Sequence, residues 1–341
     1  MSITEHAVKT RRHTTFYLAD GPENGPLVIF THGWPELSIS WRNQLPALAA
    51  LGFRAIAPDM RGYGRSSVYA QHADYAQEQI VRDMIELIDS LGREKAVWVG
   101  HDWGSPVAWN VASHHPERTH AVASLCVPYF TIDRGLEHTL TLVDRRLYPE
   151  KEYPYGQWDY MRYYEESFDE SIAPMDANVE KFMKVIFRKG DPAGEGQRTF
   201  SATTRRDHGW LGGGAVPDMP RDNDIVSEEQ LSIYVSALER NGFFGPSAWY
   251  MNHKANAAYG ATAKNGGYLE MPALFLNAQY DYVCEATHSR LAEPMRSYCR
   301  SLTEVTLRTG HWMAQEKPRE VNAALIQWLA TRVQEVWPRP S

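Results

Sequence analysis

Apolar residues in the first third of the chain alternate between short unbroken runs and stripes of helical period. Residues 27–33 (LVIFTHG) and 53–59 (FRAIAPD) are compact, largely apolar runs bounded by turn residues, which predicts buried strands. Residues 14–20 (TTFYLAD) predict an edge strand that ends in the turn-rich GPENGP. Helices are predicted over 40–52 and 75–92. In the second, Ile80, Met84, Leu87, Ile88 and Leu91 share one face and a glycine supplies the stop. Residues 96–105 predict a strand breaking into a turn, and 120–128 a further strand. Between them, 106–117 predict a helix with proline in its first turn, where a missing N–H costs nothing. The opening residues, with His6 and His13, lack such a pattern and predict a frayed terminus.

At Tyr129 the texture changes. From there to Gly266 the chain is rich in Tyr, Trp, Met and charged residues, and its segments predict helices, among them 158–168, 178–189 and 226–242. The Gly-rich stretch 210–224 predicts a loop. The earlier alternation then resumes, with strands predicted over 272–281 and 303–311 and helices over 285–295 and 318–337. Strands alternating with helices imply an α/β fold with a mostly parallel, doubly wound sheet. The interruption implies a core built from residues 1–128 and 267–341, with an inserted helical cap over 129–266.

Composition mainly excludes. A net charge of -7 with no block of Lys and Arg argues against nucleic-acid binding. Cys126, Cys284 and Cys299 lie far apart with no C-x-x-C pair, which speaks against a disulfide framework or a zinc knuckle and suits a reducing compartment. The first residues hold no apolar stretch for a secretory signal, no run is long enough to cross a bilayer, and the final RPS is no recognisable address. A cytoplasmic protein is expected, with monomer and homodimer both open. GYGRSS lacks the lysine of a phosphate loop and no H-E-x-x-H cluster occurs, so the chemistry is expected to need no cofactor and no metal.

Gly100-His101-Asp102-Trp103-Gly104 carries the chemistry. It follows an apolar strand and opens a helix, the context of a nucleophile elbow, whose glycines let the backbone turn sharply beneath an exposed central side chain. Aspartate at the centre restricts the reaction. Attack on an ester or amide would give an anhydride, whereas attack on a saturated carbon gives an ordinary alkyl ester of the enzyme. A carboxylate is already an anion, so that step needs no base, but hydrolysis of the ester needs an activated water. His311, in a glycine-preceded loop between a strand and the last helix, is the candidate base. Asp281, at the end of the strand ALFLNA, is the candidate acid that orients it, with Glu285 and Asp133 as rivals. The chain order nucleophile, acid, histidine is that of the hydrolases. The loop after residues 27–30 and the residue after Asp102 offer the backbone amides of Trp34 and Trp103 as an oxyanion hole.

Taken together, HGWPE…SWR, PDMRGYGRSS, VGHDWGS, the helical insertion and the final GHW resemble the epoxide hydrolases of the α/β-hydrolase superfamily, from about Thr15 to Leu329. The resemblance implies two tyrosines that project from the cap over the nucleophile and hold the epoxide oxygen. One lies in a segment similar to WDYMRYY and points to Tyr160, with Tyr163 and Tyr164 as close neighbours. The other lies in G-P-x-x-W-Y-x-N, residues 245–252 here, and points to Tyr250. An epoxide and water would then be the only partners, whether for detoxification or for turnover of an endogenous epoxide. Haloalkane dehalogenases share the HDWG elbow and the ester route, but they usually carry asparagine where this chain has Trp34. A hydrolase-fold binding protein that has lost catalysis should lack a triad member, and none is missing.

Overall fold

The computed structural model describes residues 3–338; the RPS tail lies outside the described residues. Among the described residues, eight strands form one sheet: β1 (Thr4–Lys9), β2 (Thr14–Asp20), β3 (Leu27–Thr31), β4 (Arg54–Pro58), β5 (Ala96–His101), β6 (Thr119–Leu125), β7 (Leu269–Ala278) and β8 (Cys299–Leu307). Their order is β1-β2-β4-β3-β5-β6-β7-β8. The pairs that β2 makes with β1 and β4 are antiparallel and the rest are parallel. β3 and β5 are buried along their whole length, as strands covered on both faces must be, which is why they read as unbroken apolar runs. The crossover helices Gln77–Ser90 and Gly104–His114 and the C-terminal helix Pro318–Arg332 cover the faces. The loops at the carboxyl ends of β3, β5, β7 and β8 therefore converge on one side of the sheet, where parallel α/β sheets hold their ligands.

The N-terminal segment departs from the sequence reading. Residues 4–9 form β1 on the sheet edge, so residues 14–20 are an inner strand rather than an edge strand. The β1 sequence TEHAVK alternates polar and partly covered residues and carries no apolar run, because an edge strand is held by its backbone hydrogen bonds. His6 stacks on Tyr17 at 5.1 Å. His13 is buried, its Nδ1 3.0 Å from the Tyr69 hydroxyl, with Asp83 beside it. Neither lies in a frayed end.

Two helix expectations also shift. Residues 285–292 form turns, and the helix runs only over Glu293–Tyr298, with Pro294 in its first turn. The Glu285 carboxylate accepts the amides of Thr287, His288 and Ser289, which fixes a turn where a helix was expected. The helix expected over 40–52 divides into a tight turn at Ser38–Trp41 and the short helix Gln44–Ala49.

Between β6 and β7 the described residues hold helices and loops and no strand, including Asp159–Glu166, Phe168–Ala177, Val179–Ile186, Glu228–Asn241 and His253–Gly260. Ser227 and Gln230 make a reciprocal capping box that starts the fourth of these. The insertion is fastened to the sheet side by buried polar contacts. Tyr234 and Ser40 share a 2.7 Å hydroxyl bond, Trp249 Nε1 donates to the Arg61 carbonyl at 3.1 Å, and Asn256 Oδ1 accepts the Gln77 amide at 2.9 Å.

Candidate active site

Asp102 sits between the end of β5 and the helix Gly104–His114 with φ +49°, a left-handed conformation that costs a non-glycine residue about 1–2 kcal/mol. The surroundings enforce it. A Cβ on Gly104 would lie 2.1 Å from the Thr31 carbonyl oxygen, so only glycine lets the new helix start against β3. A Cβ on Gly33 would lie 2.4 Å from Asp102 Oδ1, which shows how closely the loop after β3 passes the carboxylate. That approach gives the Trp34 amide a 2.7 Å hydrogen bond to Asp102 Oδ1. Trp103 occupies the N-cap of the helix, among the amides that a helix start leaves free.

His311 follows β8 and lies between two carboxylates. Its Nδ1 donates to Asp281 Oδ2 at 2.6 Å, and its Nε2 is 3.6 Å from Asp102 Oδ2. Asp281 is buried, and its second oxygen accepts the amides of Val283 and Cys284 at 3.2 and 3.0 Å. Burial alone would lower the His311 pKa, but the charges of Asp281 and Asp102 outweigh it and push the imidazole up to about 9. Burial would likewise raise Asp281, yet the facing imidazolium and its hydrogen bond hold the carboxyl below its ordinary range. Of the rival acids, Glu285 is spent on its turn, and Asp133 accepts the Thr131 amide beside Arg134.

Sequence reasoning missed a second layer behind these residues. His101 Nδ1 lies 2.6 Å from Glu36 Oε2, and its Nε2 donates to the His311 carbonyl at 2.8 Å. Glu36 also accepts the Gly33 amide at 3.1 Å and the Gln315 side-chain amide at 2.9 Å. Glu316 Oε2 accepts two amides, from Gly310 at 2.8 Å and from Gly190 in the insertion at 3.0 Å. The signal for Glu36 was present in HGWPE, a carboxylate two residues past an apolar tryptophan, but nothing local says that it turns inward.

A cavity of about 430 Å³ opens above Asp102, walled by Trp34, Tyr160, Trp210, Tyr250 and Trp312 and reaching His311. Tyr160 comes from the helix Asp159–Glu166 and Tyr250 from the turn Trp249–Met251. Their rings are 5.6 Å apart, and burial with the nearby Asp102 charge pushes both phenols well above their ordinary pKa. Tyr164 stacks on Tyr250 at 4.7 Å, but its hydroxyl turns to Met175, and Tyr163 does not reach the cavity wall. Among the described residues, two sets offer metal-ligand atoms within 4.8 Å of one another: Asp281, Cys284 and His311, and His101, Cys126 and His311.

Comparison with known proteins gives consistent matches. A family model described as alpha/beta hydrolase fold matches residues 26–167. Epoxide hydrolase A of Mycobacterium tuberculosis is 34% identical over 331 residues, covering 96% of this chain and 97% of that one. The bifunctional epoxide hydrolase 2 of Sus scrofa is 34% identical over 310 residues, covering 90% of this chain but 52% of the relative, so the chain spans about half of that protein's length. The crystal structure of epoxide hydrolase A from Mycobacterium thermoresistibile superposes with a TM-score of 0.78 at 31% identity, covering 97% of this chain and 99% of that one.

Proposed function

The chain belongs to the epoxide hydrolase family of the α/β-hydrolase fold, and on that premise we propose that it converts epoxides to vicinal diols through an ester on Asp102. One observation carries the reading: across a single cavity, the Asp102 carboxylate with His311 at 3.6 Å faces the paired phenols of Tyr160 and Tyr250. The helical insertion that supplies both phenols acts as the cap. An epoxide and water are the partners, and the cytoplasm is the compartment that suits this reading.

Tyr160 and Tyr250 donate hydrogen bonds to the epoxide oxygen. Their raised pKa keeps them protonated until the ring opens. Asp102 attacks a ring carbon, the carbon–oxygen bond breaks, and the leaving alkoxide takes a phenol proton. The product is a hydroxyalkyl ester, and the Asp102 charge is gone. That loss removes one of the charges that hold the His311 proton, so the imidazole releases it and the phenol is restored through solvent. Neutral His311, oriented by Asp281, takes a proton from water as the water attacks the ester carbonyl. The amides of Trp34 and Trp103 receive the oxyanion. Collapse releases the diol, returns Asp102 as a carboxylate and leaves His311 protonated as at the start.

The halide route is the less well supplied. Its usual second donor, an asparagine, is replaced by Trp34, whose indole N–H is directed to Ser247 Oγ at 3.4 Å, while Trp103, with an unpartnered indole N–H, is fully buried and absent from the cavity wall. A non-catalytic binding protein would have no reason to keep a buried 2.6 Å Asp281–His311 bond next to a strained aspartate. The test is to mix purified His311→Gln protein with an aryl or alkyl epoxide and measure its intact mass. An adduct of substrate mass on the Asp102 peptide is expected. Its absence, with diol formation persisting in Asp102→Ala, overturns the mechanism.

A further inference from the structure

We propose that Asp281, Cys284 and His311 form an inhibitory site for a thiophilic divalent cation of the zinc or cadmium type, which enters through the substrate cavity. The three side chains offer a carboxylate oxygen, a thiol sulfur and an imidazole nitrogen within 4.8 Å of one another. All three line the cavity. A tetrahedral ion with bonds of about 2.0–2.3 Å brings such ligands to roughly 3.3–3.8 Å apart, so side-chain movements of about an ångström suffice. A mixed oxygen, nitrogen and sulfur set favours borderline and soft ions over magnesium or calcium. The fourth position opens on the cavity and is left to water.

The neighbouring set is not equivalent. His101 has both ring nitrogens engaged, one by Glu36 and one by the His311 carbonyl. Cys126 directs its S–H to that same carbonyl at 3.2 Å. Cys284 makes no side-chain hydrogen bond among the described residues, and its sulfur is the free ligand atom. A metal takes the thiolate, so binding at Cys284 displaces the thiol proton.

Occupancy has a specific consequence, which rests on the reading of His311 as the base of the second step. The ion replaces the proton between Asp281 and His311 and takes the imidazole out of general-base work. Asp102 stays free to attack. A loaded enzyme therefore alkylates itself once and stalls as the ester.

The test adds cadmium to the full chain and to Cys284→Ser, Cys284→Val, Cys126→Ser and Cys299→Ser. Binding is followed by calorimetry and by the ultraviolet thiolate-to-cadmium charge-transfer band, neither of which depends on turnover. One equivalent with a band is expected in the wild type, and both Cys284 variants should lose the band and bind at least about tenfold more weakly. The Cys126 and Cys299 variants should retain both, and a chelator should reverse the inhibition of turnover. No band in the wild type, or a band that survives in the Cys284 variants, overturns the site. A Cys284-dependent band with ester hydrolysis unimpaired leaves the ion site standing but removes the inhibition and, with it, the role given to His311.

Discussion

His101 and Glu36 form a buried hydrogen-bonded pair, Nδ1 to Oε2 2.6 Å, beside the proposed nucleophile Asp102. A carbonyl can only accept, so His101 Nε2 must donate to His311. Glu36 accepts from Gly33 and Gln315 and pairs with His101. The pair joins three segments that chemistry must keep in register: the loop bearing Trp34, the elbow bearing Asp102 and the loop bearing His311.

Removing one member should be costly, because the other is left buried and uncompensated. Glu36→Gln is expected to lose about 3 kcal/mol of stability, measured by urea denaturation, and to lower turnover by loosening both loops. Burial would raise the Glu36 pKa, but the His101 charge and hydrogen bond bring it down to about 2, below the ordinary 4.5. The stability it contributes is therefore present above pH 4.5 and lost as the pH falls towards 2. An acid-unfolding curve of the variant should lack that component.

His311 behaves in the opposite sense. Its folded pKa of about 9 exceeds the ordinary 6.5, so its contribution is complete below 6.5 and fades as the pH rises through 9. The Tm difference between the wild type and His311→Gln should shrink across that window. Esterification removes the Asp102 charge, so the acid limb of kcat should fall below 9, and a limb at or above 9 would contradict the charge argument.

The two phenols should be separable from their neighbour. Tyr160→Phe and Tyr250→Phe are each expected to slow ester formation by about 10²–10³-fold in single-turnover kinetics, and the double variant to abolish it. Tyr164→Phe keeps the stacked ring and loses only a hydroxyl directed at Met175, so its alkylation rate should stay within about twofold of wild type.

Where local pattern decides structure, the sequence was a sufficient guide. The apolar runs at 27–33 and 53–59 are buried strands, and the elbow stands where strand gives way to helix around Asp102. Asp281 and His311 could be paired because both end core strands on one side of the sheet. The parts that stayed hidden are set by contacts between distant residues. β1 gains its strand from pairing with β2, and the helix expected from residue 285 yields to a carboxylate that finds three nearby amides. Nothing around Glu36 in the sequence points to His101, which the fold brings to it across a separation of 65 residues.

The hydrogen bond from Trp34 to Asp102 Oδ1 distinguishes two otherwise identical atoms. Oδ1 is held by the protein, so in the proposed ester route Oδ2 is the atom that joins the substrate. When such an ester is cleaved at its carbonyl, Oδ2 departs in the diol and the solvent's oxygen takes its place on the aspartate. Each turnover by that route spends an atom of the polypeptide and replaces it. In heavy-oxygen water, the first diol released should then carry an oxygen of protein origin, and the isotope should appear in the enzyme before it appears in the product. Asp102 is then less a tool that returns unchanged than a reagent renewed by solvent.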